Sequence, residues 1–246
     1  MRDIVAHSPG YQDWHGSVRY AAQLAATLRA SLTGLFVAPR GTTIPGPARL
    51  TVEMAAYVQD ELHRAMLAGR DFADWAGQIG VPEAHWQVAI GQVSDALAMV
   101  GNWHDLVVLA GCVPADGPDD RLTCEVLLSG AACIVVPQGC VAPGRVVHAM
   151  VAWDGAPASG RALHAALPLL RSAQVVSVLQ PDMGTIHGRK PDALSHLRVQ
   201  GVSVAAVETV TGVDDAAVEQ VLAYANDMRA DLVVMGANGR RRLGER

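Results

Sequence analysis

Asp105-Leu106-Val107-Val108-Leu109 and Asp231-Leu232-Val233-Val234-Met235 are two copies of one pattern, an acidic residue followed by an unbroken apolar run. Each copy is entered from a stretch with helical spacing. A continuous apolar run of this length, without strict in-out alternation, reads as a parallel strand buried on both faces. A looser pair lies upstream of each copy. Arg19 through Arg29 with the β-rich run to Val37 resembles Arg161 through Arg171 with the run to Leu179, helix then strand both times. The chain is therefore an internal duplication of one α/β unit.

The spacing between the two landmarks is longer in the first copy. The extra residues fall within Arg40 to Gly80, which opens on a Pro/Gly-rich loop (Gly41, Pro45, Gly46, Pro47) and continues with apolar residues at helical spacing. One long helix over 51–79 is expected there. The first half reads as strands at 3–7, 32–37, 85–90, 105–110 and 132–136, alternating with helices at 17–30, 51–79, 94–101 and 120–129. The second half reads as strands at 145–152, 173–179, 202–208 and 231–236, with helices at 157–171, 191–200 and 214–228. Such alternation gives an α/β protein with two tandem, doubly wound parallel sheets, each of five strands when complete. After Asp231 too few residues remain for the last helix and edge strand of the second copy. Either that domain is without them, or the sequence read is a shortened one. The stretch Gly139-Cys140-Val141-Ala142-Pro143-Gly144 serves as linker, dividing the chain into domains 1–142 and 143–246.

Composition supports burial: of 246 residues 50% are hydrophobic and 17% charged. The net charge of −5 argues against a broad nucleic-acid-binding surface. No apolar run approaches the roughly 18 residues that span a bilayer, so no membrane association is expected. Met1 to Ala6 runs straight into a strand with no signal-peptide pattern, and a cytoplasmic location follows. The charge divides unevenly, 8 basic and 14 acidic residues in the first half against 11 and 10 in the second. Cys112, Cys124, Cys133 and Cys140 contain no CxxC pair, so they read as reduced free thiols and not as a zinc site with His104.

In an open parallel sheet the ligand crevice lies beyond the carboxyl ends of the strands. In the second half the loop after the first strand is Trp153-Asp154-Gly155-Ala156-Pro157-Ala158-Ser159, and the loop after the fourth is Gly236-Ala237-Asn238-Gly239-Arg240-Arg241-Arg242. A carboxylate at Asp154 can accept hydrogen bonds from a base amino group or a ribose hydroxyl. Gly236 and Gly239 let backbone N–H groups turn toward phosphate oxygens, and the arginines add charge-assisted donors. The alternative for the same residues is structural, with Asp154 capping a helix and the glycines making a turn.

The stretches Val151-Ala152-Trp153-Asp154-Gly155-Ala156-Pro157 and Ala230-Asp231-Leu232-Val233-Val234-Met235-Gly236-Ala237-Asn238-Gly239 resemble the universal stress protein family, and the duplication resembles its tandem members. The resemblance implies a five-stranded domain of the adenine nucleotide alpha hydrolase-like type. In one subclass it binds ATP or AMP through an Asp after strand one and a G-x2-G-x9-G-(S/T) loop after strand four. Carried over, Asp154 would meet the adenosine moiety and Val178, at the end of strand two, would flank the base. Met235, Gly236, Asn238 and Gly239 would line the ribose and phosphates, beside the charge-assisted donor that Arg240 adds. The motif's third Gly and its hydroxyl residue would fall beyond Arg246, so binding of ATP or AMP is expected to be weak.

The first half departs further. The position of Asp154 falls near Ser8, Gly236 is replaced by Ala110, and Asp116, Asp119, Asp120 and Glu125 would repel a polyphosphate. The first half reads as a non-binding partner domain. Family members of this type pair through sheet edges, and an uncovered Cys133-Ile134-Val135-Val136 edge suits a homodimer. No P-loop is present, Lys190 is the only lysine, and neither G-x-G-x-x-G after a first strand nor G-x-S-x-G occurs. His7 and His15 with Ser8 and Asp13 read as loop polarity, not as a nucleophile and base. Trp14, Trp75, Trp86, Trp103 and Trp153 read as scattered packing residues. Two functions lead: a nucleotide-responsive regulatory module without turnover, or an interaction protein of the same fold that acts through a protein partner; a third, slow ATP hydrolysis, finds no residue that resembles a general base positioned for water.

Overall fold

The computed structural model describes residues 1–38, 48–111, 126, 130–140, 145–181, 192–210 and 215–236. The Pro/Gly loop at 41–47, most of the expected helix at 120–129, linker residues 141–144 and the Asn238 to Arg242 run lie outside them. The chain divides into two compact units, Met1–Ala142 and Pro143–Arg246.

The first unit contains β1 (Asp3–Ser8), α1 (Ser17–Leu28), β2 (Ser31–Ala38), α2 (Ala48–Leu67), α3 (Gly69–Ile79), β3 (Ala84–Ile90), α4 (Val93–Gly101), β4 (Leu106–Ala110) and β5 (Cys133–Val136). Its sheet runs β3-β2-β1-β4-β5, every neighbouring pair parallel. The apolar runs are buried on both faces, as their continuity implies. Ile4, Ala6, Leu106 and Val108 pack with α1 and α3. Val5, Val107 and Leu109 pack on the opposite face with Ala96 and Leu97 of α4. Each Leu or Ile so buried contributes about 1.5–3 kcal/mol.

Residues 51–79 form two helices and not one. The break at Ala68 lets each part face a different surface: Ala65 of α2 joins Phe36 and Ala38, whereas Phe72 and Ala76 of α3 join the core beneath α1. The indole N–H of Trp86 donates to Ala65 O at 2.8 Å, holding the last turn of α2 to β3. Trp14, Trp75 and Trp86 are not scattered. They meet around Phe72, with ring centroids 5.0–6.0 Å apart. Gly34 makes room for them: a Cβ there would lie 2.6 Å from Trp86 Cε3 and 2.7 Å from Phe72 Cζ.

The second unit contains β6 (His148–Ala152), α5 (Pro157–Ser172), β7 (Val175–Pro181), α6 (Ala193–Val199), β8 (Ala206–Val210), α7 (Asp215–Asp227) and β9 (Leu232–Met235). Its sheet is also parallel, in the order β8-β7-β6-β9, four strands among the described residues. β8 begins later than the apolar pattern from 202 suggests, because Val202 is spent in the core below α5 and α6. Helices α5 and α6 cover one face; Met150 and Leu179 meet α7 on the other. Both halves thus wind helices onto both faces of a parallel sheet.

The repeated aspartates have one job in both copies. Asp105 Oδ2 accepts the Arg2 and Asp3 amides at 2.5 and 3.3 Å, and Asp231 Oδ2 accepts the Val147 and His148 amides at 2.7 and 2.9 Å. Each closes the open end of the unit's first strand. His148 adds a further tie: its Nδ1 lies 2.8 Å from Met228 O and its Nε2 2.8 Å from Ser177 Oγ. A carbonyl only accepts, so Nδ1 carries the proton and Nε2 takes the Ser177 hydroxyl.

Candidate functional site

The connection from β6 turns to β7 on one side, while β9 lies on the other. The gap between β6 and β9 is thus the topological switch point of the sheet, where parallel α/β sheets open a crevice. Ala152 pairs with Met235 at its rim. Asp154 lies two residues past Ala152 and Gly236 one past Met235, so the starts of the two loops singled out from sequence come together.

Asp154 is exposed, and its carboxylate organises the start of α5. Oδ1 accepts the Ala156 N–H at 2.9 Å and lies 2.5 Å from Ser159 Oγ. Ser159 Oγ also lies 2.8 Å from Ala156 O, but a hydroxyl has one proton, and the ionised carboxylate is the stronger acceptor. Ala156 at the N-cap has no side chain to cap with, and Pro157 opens the helix. Asp154 supplies the missing acceptor and places its negative charge at the positive end of the helix dipole. Gly155 makes the turn, with φ of +78°. The Trp153 N–H extends the ladder by donating to Leu179 O at 2.8 Å.

Gly236 is required by close approach. A Cβ on it would lie 2.4 Å from Ser159 N and 2.9 Å from Ala158 C, so the backbone after β9 touches the first turn of α5. Met235, the last residue of β9, is half exposed at the rim. Ser159, 2% exposed, is the residue that sequence reasoning missed. Its signal was a hydroxyl at the third position of a helix begun by Pro157, within reach of Asp154.

Val178 does not stand at the end of its strand. It pairs with Val151 and Val207 inside the sheet and is fully buried, because β7 runs on to Pro181. Gln180 and Pro181 end that strand instead. Asn238, Gly239 and Arg240 lie outside the described residues.

The first unit lacks this arrangement. Ile4 pairs with Leu106 as Ala149 pairs with Leu232, and counting on from these pairs puts Pro9, one residue past Ser8, at the position of Asp154. The Ser8 hydroxyl donates to Gly10 O at 2.6 Å. Apolar side chains fill the carboxyl end of β2 and β3: Phe36, Ala38 and Val88 pack against Tyr11 and against Leu62 and Ala65 of α2. Burial, with the nearby Glu61 carboxylate, pushes the Tyr11 phenol up.

Among the described residues no three metal-ligating side chains gather. His104 Nδ1 meets Asp3 Oδ2 at 2.8 Å, and burial pushes the Cys133 thiol up to about 12. No helix among the described residues is long and apolar enough to cross a membrane.

No protein-family model matches the chain, and no curated protein sequence matches it. Solved structures do. A universal stress protein from Archaeoglobus fulgidus DSM 4304 is 15% identical, with 94% of this chain and 86% of that one covered and a TM-score of 0.59. UspA from Lactobacillus plantarum is 18% identical over 55% of this chain and 99% of its own, with a TM-score of 0.43. A universal stress protein in complex with cAMP is 18% identical over 55% and 96%, with a TM-score of 0.36. The similarity to the Archaeoglobus fulgidus protein shows the fold: this chain has the α/β fold of a universal stress protein.

Proposed function

We propose that the protein is a tandem universal stress protein, cytoplasmic, whose second unit binds ATP or AMP and acts as a stress-response regulatory module without turnover of its own. The observation that carries this reading is that Asp154, bonded to the first turn of α5, and Gly236, packed against the backbone of that same turn, both lie at the switch point of the second sheet. Asp154 would accept hydrogen bonds from the adenosine moiety. Met235 would flank it, and Gly236 with Asn238, Gly239 and Arg240 would carry the ribose and phosphates. Pro9 in place of the carboxylate and the apolar packing at the carboxyl ends of β2 and β3 favour a first unit that supports the second. Homodimerisation through the Cys133–Val136 edge, where Val135 is exposed, belongs to the same reading.

A second reading has its own observation. Asp154 Oδ1 is engaged by Ala156 and Ser159, a sufficient structural reason for a carboxylate there. On that reading the protein binds no nucleotide and works through a protein partner. Isothermal titration with ATP and with AMP separates the two. Heat from the wild type that is lost in Asp154→Ala supports the first; no heat with either nucleotide supports the second. Phosphate release above blank would overturn the absence of turnover.

A further inference from the structure

Away from the mouth of the second sheet, two imidazoles face one another across neighbouring helices. His164 on α5 and His196 on α6 have ring centroids 4.6 Å apart and planes inclined at 52°. Two imidazoles sharing one ion, each with a metal–nitrogen bond of about 2.0–2.1 Å, place their centroids about 4.5–5.2 Å apart. The observed spacing falls in that range.

Each ring has a nitrogen open to a ligand. His164 Nδ1 lies 2.8 Å from Gly160 O, and because a carbonyl only accepts, Nδ1 carries the proton and Nε2 keeps its lone pair. This outer bond to a backbone carbonyl is the one that fixes tautomer and ring orientation in metal-ligating histidines. His196 Nε2 is buried without a hydrogen-bond partner. A cation would satisfy it. The helices are also tied further along, where Arg171 Nε and Nη2 donate to Gln200 O and Oε1 at 2.9 and 2.8 Å. That contact ties α5 to α6.

Charge works in both directions. Asp192, the N-cap of α6 one turn before His196, is held below the usual carboxylate range by the Ser195 hydroxyl and stays anionic. Arg161 and Arg198 on the same helices oppose a dication. With two protein ligands and this balance, the site suits a metal that prefers imidazole and tolerates water in its other positions.

We propose that His164 and His196 form an interhelical two-imidazole site for a borderline divalent transition metal, with Cu²⁺ bound tighter than Ni²⁺ or Zn²⁺. The test titrates metal-free protein with each ion by calorimetry, using wild type, His164→Ala, His196→Ala and, as control, His63→Ala on the exposed face of α2. The expected result is one binding event present in wild type and His63→Ala and absent from both His164→Ala and His196→Ala. Zn²⁺ should also raise the melting temperature of the first two proteins and not of the last two. Equal stoichiometry and affinity in all four proteins overturns the site. So does loss in His196→Ala with retention in His164→Ala. If His196→Ala does not fold, His164→Ala decides alone, because His164 is exposed and its removal leaves the core intact.

Discussion

Gly236 and Ser159 are in backbone contact across the mouth of the second sheet, so close that a Cβ on Gly236 would lie 2.4 Å from the Ser159 nitrogen. Neither partner can yield cheaply, since the obstacle is the backbone of a helix turn. Gly236→Ala should cost about 1–3 kcal/mol in chemical denaturation, by overpacking. Ala110, its counterpart in the first unit, already carries a Cβ. The segment from β1 to α1 spans residues 9–16, longer than 153–156, and starts that helix further along.

Asp154 has a structural task apart from any ligand. Removing its carboxylate in Asp154→Ala leaves the Ala156 amide and the Ser159 hydroxyl without their acceptor and should destabilise by about 1 kcal/mol. Asp154→Asn keeps an oxygen for the cap but not the charge. Its melting temperature should stay near that of the wild type, while nucleotide affinity falls about 10–100-fold, the weight of one hydrogen bond to a charged group.

Asp105 and Asp231 offer a matched pair. Each accepts two amides at the start of its unit's first strand, but Asp231 also serves His148, which is buried. Asp105→Ala should cost about 1 kcal/mol, because water can reach the freed amides. Asp231→Ala should cost more, up to about 2 kcal/mol. Equilibrium unfolding of the two variants gives the comparison.

At Gly34 a methyl group would strike Trp86 and Phe72. Gly34→Ala should lower stability by about 1–3 kcal/mol and shift tryptophan fluorescence, since Trp14, Trp75 and Trp86 share that cluster.

Cys133 gives a pH dependence whose sign can be stated. Burial raises its folded pKa from 9.0 to about 12. Below pH 9 both folded and unfolded thiols are protonated and contribute no difference. Between pH 9 and 12 the unfolded thiol loses its proton and the folded one does not, so stability falls as pH rises through that window. Cys133→Ala should flatten the fall. At pH 8 the exposed Cys140 should be alkylated by iodoacetamide and Cys133 spared, read by peptide mass mapping.

The duplication and the doubly wound class were legible because Asp105-Leu106-Val107-Val108 and its copy combine a one-sided charge with an unbroken apolar run. A parallel strand covered on both faces suits that combination. The break at Ala68 was not legible, since the apolar spacing continues through it. The tertiary contact made there, from the Trp86 indole to the Ala65 carbonyl, comes from a residue distant in sequence. Val178 was misplaced for the opposite reason: the apolar run of β7 stops at Leu179, but the strand continues through Gln180 and Pro181, which carry no periodic signal. Asp154 and Gly236 were readable as a pair. Their shared dependence on Ser159 was not, because it arises only when β9 and α5 touch.

Nucleotide bound between Asp154 and Gly236, and not in the first unit, has a direct signature in amide NMR spectra of the isotope-labelled protein titrated with AMP. Saturable shifts are expected at Asp154, Gly155, Ser159 and Gly236, with Ser8, Gly10, Ala110 and Gly111 unmoved. Shifts confined to the first unit, or none at saturating AMP, would contradict that placement.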